Sequence, residues 1–395
     1  MTTHSTARTW LRIALLTLGA AAVLAVTLLL GTAIGETRIP LEMVRQVLAN
    51  QLFGAGYAVD PIDQGIVWNY RLTRAIVAMC CGTGLALSGV ILQSLLRNAL
   101  ADPYLLGISA GASTGAVLVT VAGLGAGAIS MTAGAFGGAV LAFTLVALLA
   151  HAAGGGGLHN SGQIVLAGIA GSQLFNALTS LIITKSGSAE QARGIMFWLL
   201  GSLSGARWPS VWLTLTVAVA GVLACLWFAR ALDAFIFGTE SAAALGVPVR
   251  RVQIVLLLTA ALVTAVMVSV AGAIGFVGLV IPHVARLLVG VRHSRLLPAS
   301  ALLGAVFLVA ADVVSHIFSI PAACSSSYTA SAFSISDIMC RTCGSHPQPS
   351  PTTHLSRWRR QGRRPGSGGT RRAAWMRRPG RTRSSHEGAP CSLPD

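Results

Sequence analysis

Runs of apolar residues, broken by short polar segments that carry most of the arginines, repeat along the chain as far as Phe318. A helix crossing the hydrocarbon core of a bilayer needs about 20 predominantly apolar residues. Nine runs meet or approach that length, at about 12–34, 72–96, 104–122, 128–151, 163–184, 209–229, 252–271, 274–291 and 298–318. They predict an all-α, polytopic transmembrane helical bundle. The first run is longer than the core of a signal peptide and reads as a retained span that also directs insertion. Between spans, Leu41–Phe53 and Gln191–Leu203 show the 3.6-residue period of short amphipathic helices, suited to the outer interface. Phe237–Val247 is polar at Thr239 and Glu240, then Ala-rich, and predicts a short surface helix closed by a glycine cap at Gly246. It is either a docking knob for a soluble partner or a plain connector.

Composition narrows the class. The chain is 54% hydrophobic and 10% charged, with a mean hydropathy of +0.71, whereas soluble domains carry about a quarter charged residues. Soluble and single-span folds are excluded. Forty-four glycines in so apolar a chain predict close helix contacts. Gly107, Gly111 and Gly115 recur every four residues, Gly134 and Gly138 do likewise, and Gly272, Gly275 and Gly278 recur every three. Pro282 sits inside a run, where it deletes a backbone donor and predicts a kink that serves a gate or a packing bend.

The formal charge of +16 raises the question of nucleic acid, and its distribution answers it. From Ile320 onward twelve arginines face only Asp337, Glu387 and Asp395, so the tail dominates the basicity. Elsewhere arginine clusters at span ends. Placing Arg8 and Arg12 in the cytoplasm puts Arg97, Arg230, Arg250, Arg251, Arg292 and Arg295 on the same side. Arg38, Arg45, Arg71, Arg74, Lys185, Arg193 and Arg207 then fall outside, an excess that calls for another role. No nucleic-acid partner is expected; membrane lipid is.

Catalytic chemistry is sparse. The chain has no phosphate-binding glycine loop ending in Gly-Lys-Ser/Thr, so it does not hydrolyse ATP by that route. His283 and His293 lack nearby carboxylates, and Cys340-Arg-Thr-Cys343 has no second pair, so no metal site is expected. Cys80, Cys81 and Cys225 read as small buried apolar residues. Asp312 stands inside the run Ala299–Phe318, where an unpaired carboxylate is costly. It serves either a polar contact or ion pathway, or a hydrogen bond within the bundle or at the outer interface.

Six ordered motifs resemble one family. They are RLTR at Arg71–Arg74, SGVILQSLLRNALADPYLLGISAGAS at Ser88–Ser113, LAGIAGS at Leu166–Ser172, WLLGSLSGARW at Trp198–Trp208, GTESAAALGV at Gly238–Val247 and GAIGFVGLVIPHVARLLVG at Gly272–Gly290. Together they resemble the iron-siderophore, haem and cobalamin permeases of type II ABC importers, over about residues 10–318. The resemblance implies a ten-span subunit of a bacterial cytoplasmic (inner) membrane, N-terminus inside. It would pair with a second copy or a close relative around a central path. Two cytoplasmic ATPase subunits would drive it, and an extracytoplasmic binding protein would deliver the substrate. The chain itself would bind no cofactor, ATP residing on its partners. By the same resemblance, Arg71, Arg74 and the position of His316 meet the binding protein. Glu240, Ala243, Leu245 and Gly246 belong to the coupling helix inserted into the ATPase, and Ser161 and Gly162 lie near the cytoplasmic gate. Transport would proceed by alternating access; a secondary transporter or a truncated, inactive permease are the competing expectations.

Departures accompany the match. Asn98-Ala99 stands where the family has Asn-Pro, Thr73 where it has Pro, and His316 where it has Arg. Past Ser319, the expected Glu-Leu-Pro-x-Gly and tenth span are replaced by a Ser/Pro-rich and then Arg/Gly/Pro/Ala-rich stretch with no apolar period. Residues 320–395 are therefore expected to be disordered. Arginine outnumbers lysine 27 to 1 over the whole chain, as in GC-rich coding DNA, and the tail reads as an out-of-frame translation of such DNA.

Overall fold

The computed structural model describes residues 3–35, 39–122, 130–152, 161–185 and 189–317. The chain divides into two units, Met1–Ile338 and Met339–Asp395, and every described residue lies in the first. The expectations for 320–395 fall outside the described residues.

The described elements are all helical. They are α1 (Thr3–Ala33), α2 (Leu41–Phe53), α3 (Pro61–Gly65), a π-helical turn (Ile66–Arg71), α4 (Leu72–Leu95), a 3-10 turn (Pro103–Leu106), α5 (Ile108–Ala122), α6 (Met131–Ala152) and α7 (Ser161–Lys185). They continue with α8 (Ala189–Leu199), α9 (Trp208–Trp227), α10 (Ala229–Phe235), α11 (Thr239–Ala244), α12 (Val249–Ala271), α13 (Val277–Val289) and α14 (His293–Ile317). Among the described residues, six stretches are long and apolar enough to cross a membrane: Pro61–Leu95, Met131–Ala152, Gly162–Lys185, Trp208–Trp227, Val249–Ala271 and His293–Ile317. Two apolar helices, Ile108–Val121 and Val277–Val289, are shorter, and Thr17–Ala33 is an apolar part of the 31-residue α1.

Two expected spans are corrected. The run 274–291 forms a helix of 13 residues, about 20 Å long at 1.5 Å per residue, against a core of about 30 Å. Its first residues belong instead to a break after α12. The run 104–122 likewise opens with a 3-10 turn and a left-handed Gly107 (φ 73°) before α5 begins. Both runs are apolar throughout, so hydropathy alone could not show where the helix stops.

α4 is the central element, with 83% of its most apolar window buried, against 22% for α7. Its glycines explain how so many helices reach it. A Cβ on Gly82 would lie 2.0 Å from the Gly304 carbonyl of α14, and one on Gly89 would lie 1.9 Å from the Gly278 carbonyl of α13. Gly84 meets Val263 and Met267 of α12. Polar side chains of α4 add bonds at these contacts, Thr83 to the Ala301 carbonyl (3.1 Å) and Ser88 to the Ala260 carbonyl (3.3 Å). The α5/α6 contact follows the same logic. Gly111 and Gly115 face Gly138 and Gly134 backbone to backbone, with hypothetical Cβ positions 2.4 and 2.1 Å from the opposing carbonyls. Gly107 is a turn residue, and Gly275 has open space at its Cβ position.

Gly89→Val is expected to destabilise the protein beyond the about 1–3 kcal/mol usual for overpacking, because backbone rather than a flexible side chain blocks the new atoms. Gly137→Ala, with nothing within 4 Å, should leave thermal unfolding in detergent unchanged or slightly raised. Equal melting temperatures for both variants would contradict the close approach.

Candidate functional site

At one end of α4, four polar side chains are enclosed among helix ends. Arg71 and Arg74 are each only 1% exposed. Arg71 donates to the Ala33 carbonyl at 2.8 Å, at the C-terminus of α1 where unpaired carbonyls favour a cation. Arg74 Nε lies 2.9 Å from Asp312 Oδ2, and its Nη1 lies 2.6 Å from His316 Nε2. Tyr70 places its ring 5.6 Å from the Arg74 guanidinium carbon. Asp312 is thus paired within the bundle. Both guanidinium groups, which the resemblance assigns to docking, are turned inward onto α1 and α14. Sequence position could place them at a span end but not decide which way they face.

The second feature is a break at mid-depth. α12 ends at Gly272 (φ 74°), the chain runs without helix to Phe276 (φ 67°), and α13 starts again at Val277. Met267 and Gly278 flank the break and pack on Gly84 and Gly89, so it lies beside the middle of α4. Non-helical backbone at that depth needs partners. Tyr104 supplies them with one oxygen: its hydroxyl donates to the Ile274 carbonyl at 2.7 Å and accepts from the Ile274 N–H at 2.9 Å. The Ala271 carbonyl accepts from the N–H of Ser202 at 2.9 Å. Asp102 accepts from the N–H of Tyr104 at 2.8 Å and so fixes the turn that carries the tyrosine. Burial pushes the Asp102 carboxyl above its ordinary range, and that backbone bond draws it part of the way back.

An open cavity of about 400 Å³ adjoins the break, lined by Tyr104, Ser109, Ser113, Ser172, Asn176 and Gly275 among others. A neighbouring one of about 470 Å³ shares Tyr104 and Ser172 and adds Asp102, Gln173 and Phe276. On α7, Gln173, Asn176, Ser180 and Thr184 are exposed along one helical face. Amides facing hydrocarbon without partners cost several kcal/mol, so this face is suited to water or protein. α7 can approach because Gly168 sits against the Leu105 carbonyl, where a Cβ would lie 1.7 Å away. Of the expected gate residues, Gly162 is exposed near the start of α7, and the side chain of Ser161 lies outside the described set.

At the other end of α4, Pro282 removes the helical donor to the Gly278 carbonyl. Gln93 Nε2 fills the vacancy at 3.2 Å, and Arg286 Nη1 in turn holds Gln93 Oε1 at 2.5 Å. Ser94 Oγ lies 2.7 Å from His293 Nε2, and Asp233 Oδ1 lies 2.8 Å from His293 Nδ1. This series joins α4, the first residue of α14 and α10. α11 follows α10 directly, and its cap is a left-handed Gly246 (φ 82°) with Gly246 N–H to Ala243 and Val247 N–H to Ala242. Glu240, Ala243, Leu245 and Gly246 are exposed, while Ala242 is buried. Sequence reading missed Tyr104, Gln93 and Asp233; a glutamine inside an apolar run was the available signal for the second.

A model of the FecCD transport family matches residues 23–333, past the composition break at Ser319. An ABC transporter permease protein, YvrB of Bacillus subtilis (strain 168), is 38% identical over 300 residues, covering 74% of this chain and 83% of that one. The cobalamin import system permease protein BtuC of Halobacterium salinarum is 40% identical over 260 residues, covering 66% and 69%. A solved structure described as an inward-facing conformation of a metal-chelate type ABC transporter superposes with a TM-score of 0.68 at 27% identity, over 82% of this chain and 97% of that chain.

Two outcomes follow. Asp312→Asn is expected to destabilise by about 3–5 kcal/mol because it strands a buried guanidinium, and Arg74→Leu combined with Asp312→Leu should recover most of that loss; additive losses in the double variant would refute the pairing. Tyr104→Phe leaves both polar groups of Ile274 without the hydroxyl and should cost about 1–3 kcal/mol, read as a lower unfolding temperature.

Proposed function

The chain belongs to the FecCD transport family, and from that premise we propose that it is the membrane-spanning permease subunit of an ATP-binding-cassette importer for a metal chelate. An iron-siderophore is the first choice, with haem and cobalamin in the same class. The broken α12/α13 pair beside a polar cavity at mid-depth carries this reading. Such a break gives a membrane protein backbone groups and a hinge where a substrate must pass. The exposed amide and hydroxyl face of α7 supports a second permease subunit across the path, since lipid is a poor neighbour for it.

In this reading the exposed α11 docks on a cytoplasmic ATPase, and the Asp233–His293–Ser94 series beneath it, half-buried at Asp233 and buried at His293 and Ser94, passes the motion to α4 and α14. The cytoplasmic N-terminus in the inner membrane and the two ATPase subunits belong to the same proposal. So does an extracytoplasmic binding protein that docks at the Arg74 end. Direct contact by Arg74 or His316 would require the Asp312 pair to open, and contact by Arg71 would require release of the Ala33 carbonyl; the exposed Arg193 and Arg207 need no such step. A secondary transporter would need a carboxylate free to bind its coupling ion, whereas Asp312 is held by Arg74.

The test is uptake of a ferric siderophore into proteoliposomes holding the chain with its ATPase and binding protein. ATP-dependent uptake is expected, and uptake that follows a proton gradient with no need for ATP would sink the proposal. Gly246→Val forces a branched side chain into the left-handed region, costing about 1–2 kcal/mol at the cap; it should weaken ATPase association and uptake while sparing global unfolding. For residues 320–395 we propose a shifted reading frame. Translating the neighbouring frames across the codons for 312–395 should give Glu-Leu-Pro-x-Gly and an apolar span; finding neither in any frame would refute it.

A further inference from the structure

At the α11 end of α4, a cavity of about 310 Å³ is walled by Gln93, Arg97, Asn98, His283, Arg286 and His293, among others. Among the described residues, no Asp or Glu lines it. The nearest acid described above, Asp233, is committed to His293, accepting from its backbone N–H at 2.7 Å and facing its Nδ1 at 2.8 Å. Arg286 is partly buried and spends one Nη1–H on Gln93, with no carboxylate partner among the described residues. Asn98 uses its side-chain oxygen to accept from Leu100 N–H at 2.9 Å, which leaves its amide nitrogen as a donor. The polar groups on the wall are thus positive charges and donors, set in an otherwise apolar lining that includes Ala99, Ile236 and Val291.

Arg97 adds an independent sign. It stands just past the C-terminus of α4 with φ 48°, and the Asn98 N–H closes the turn onto the Gln93 carbonyl at 3.2 Å. That left-handed position is the one glycine fills by default, and a residue with a Cβ is strained there. The same cavity also holds Arg286. The strain at Arg97 is offset if an anion sits against these guanidinium groups. Ile236 and Val291 (62% exposed) belong to the cavity wall, and Phe237, next to Ile236, and Leu287, next to Arg286, are 75% exposed each.

We propose that this cavity binds a phosphate group, and that its source is the headgroup of an anionic phospholipid whose glycerol and acyl portions rest on Phe237, Leu287 and Val291. Guanidinium pairs recognise phosphate oxygens in a bidentate manner, and basic pockets between membrane helices suit anionic headgroups. The bound phosphate bridges the end of α4 to α13 and to the start of α14, next to α11. The proposal does not depend on which substrate is transported.

The experiment is native mass spectrometry of the full-length chain, exchanged in detergent against phosphatidylglycerol or phosphatidylcholine, with and without inorganic phosphate. Wild type should retain phosphatidylglycerol over phosphatidylcholine, and Arg97→Gln should lower that retention about tenfold with its melting temperature unchanged. Arg286→Gln should do the same, although loss of its Gln93 bond makes Arg97→Gln the cleaner variant. Competition by inorganic phosphate supports recognition through the phosphate. Arginine-dependent binding of inorganic phosphate with no preference between the lipids upholds the phosphate site and assigns it to a soluble anion. Equal retention of both lipids with no phosphate binding overturns the proposal. Protection of Arg97 from a guanidine-modifying reagent by the ATPase subunit alone, and by neither phosphate nor phosphatidylglycerol, overturns it in favour of a partner carboxylate.

Discussion

How closely other backbones approach α4 governs the rest of the structure. In a lipid solvent, apolar burial does little to drive helices together, so close van der Waals packing and interhelical hydrogen bonds must do it. Gly82, Gly84 and Gly89 open the surface of α4 to α14, α12 and α13. Once α14 and α13 sit at backbone distance and the side chains of α12 close on Gly84, side chains such as Thr83, Ser88 and Gln93 reach neighbouring carbonyls that lie beyond their span in a looser bundle. The depth of the α12/α13 break follows from the same contacts, because Met267 and Gly278 are pinned on either side of it.

The break and its tyrosine are one device. A five-residue interruption, Gly272–Phe276, frees backbone groups inside a region with little water, and each unpaired group there is costly. Tyr104 arrives from a separate turn and satisfies both groups of Ile274 with a single hydroxyl. Pro282 and Gln93 repeat the arrangement one turn into α13: the proline frees a carbonyl and the glutamine pairs with it. A helix interrupted in this way can bend at the break without exposing new polar groups, provided the tyrosine moves with it. That suits the opening proposed above, in which motion arrives from α11 at a distance from the cavity.

Charge is used at both ends of α4 in different ways. At the Arg74 end, cation and carboxylate are enclosed together and hold α4, α14 and the end of α1 in register. At the opposite end, Asp233 and His293 are joined below α11, while Arg97 and Arg286 stand on the wall of a cavity lined by no acid among the described residues.

The sequence by itself determined the solvent, the helical class, the short helices Leu41–Phe53 and Thr239–Ala244, and the glycine faces of α5 and α6. Those features are periodic or compositional, and they follow from residues near one another in the chain. It also placed a capping glycine at Gly246 and a costly carboxylate at Asp312. Tertiary structure alone decided the partner of Asp312, because Arg74 lies on another helix far away in sequence. It set which way Arg71 and Arg74 face, which their span-end position left open. It also shortened two apolar runs, since hydropathy is the same for a residue in a helix and for one in a break that Tyr104 happens to satisfy. Long-range pairing of polar groups in a low-dielectric interior leaves almost no local trace, and the candidate site is made almost entirely of such pairs.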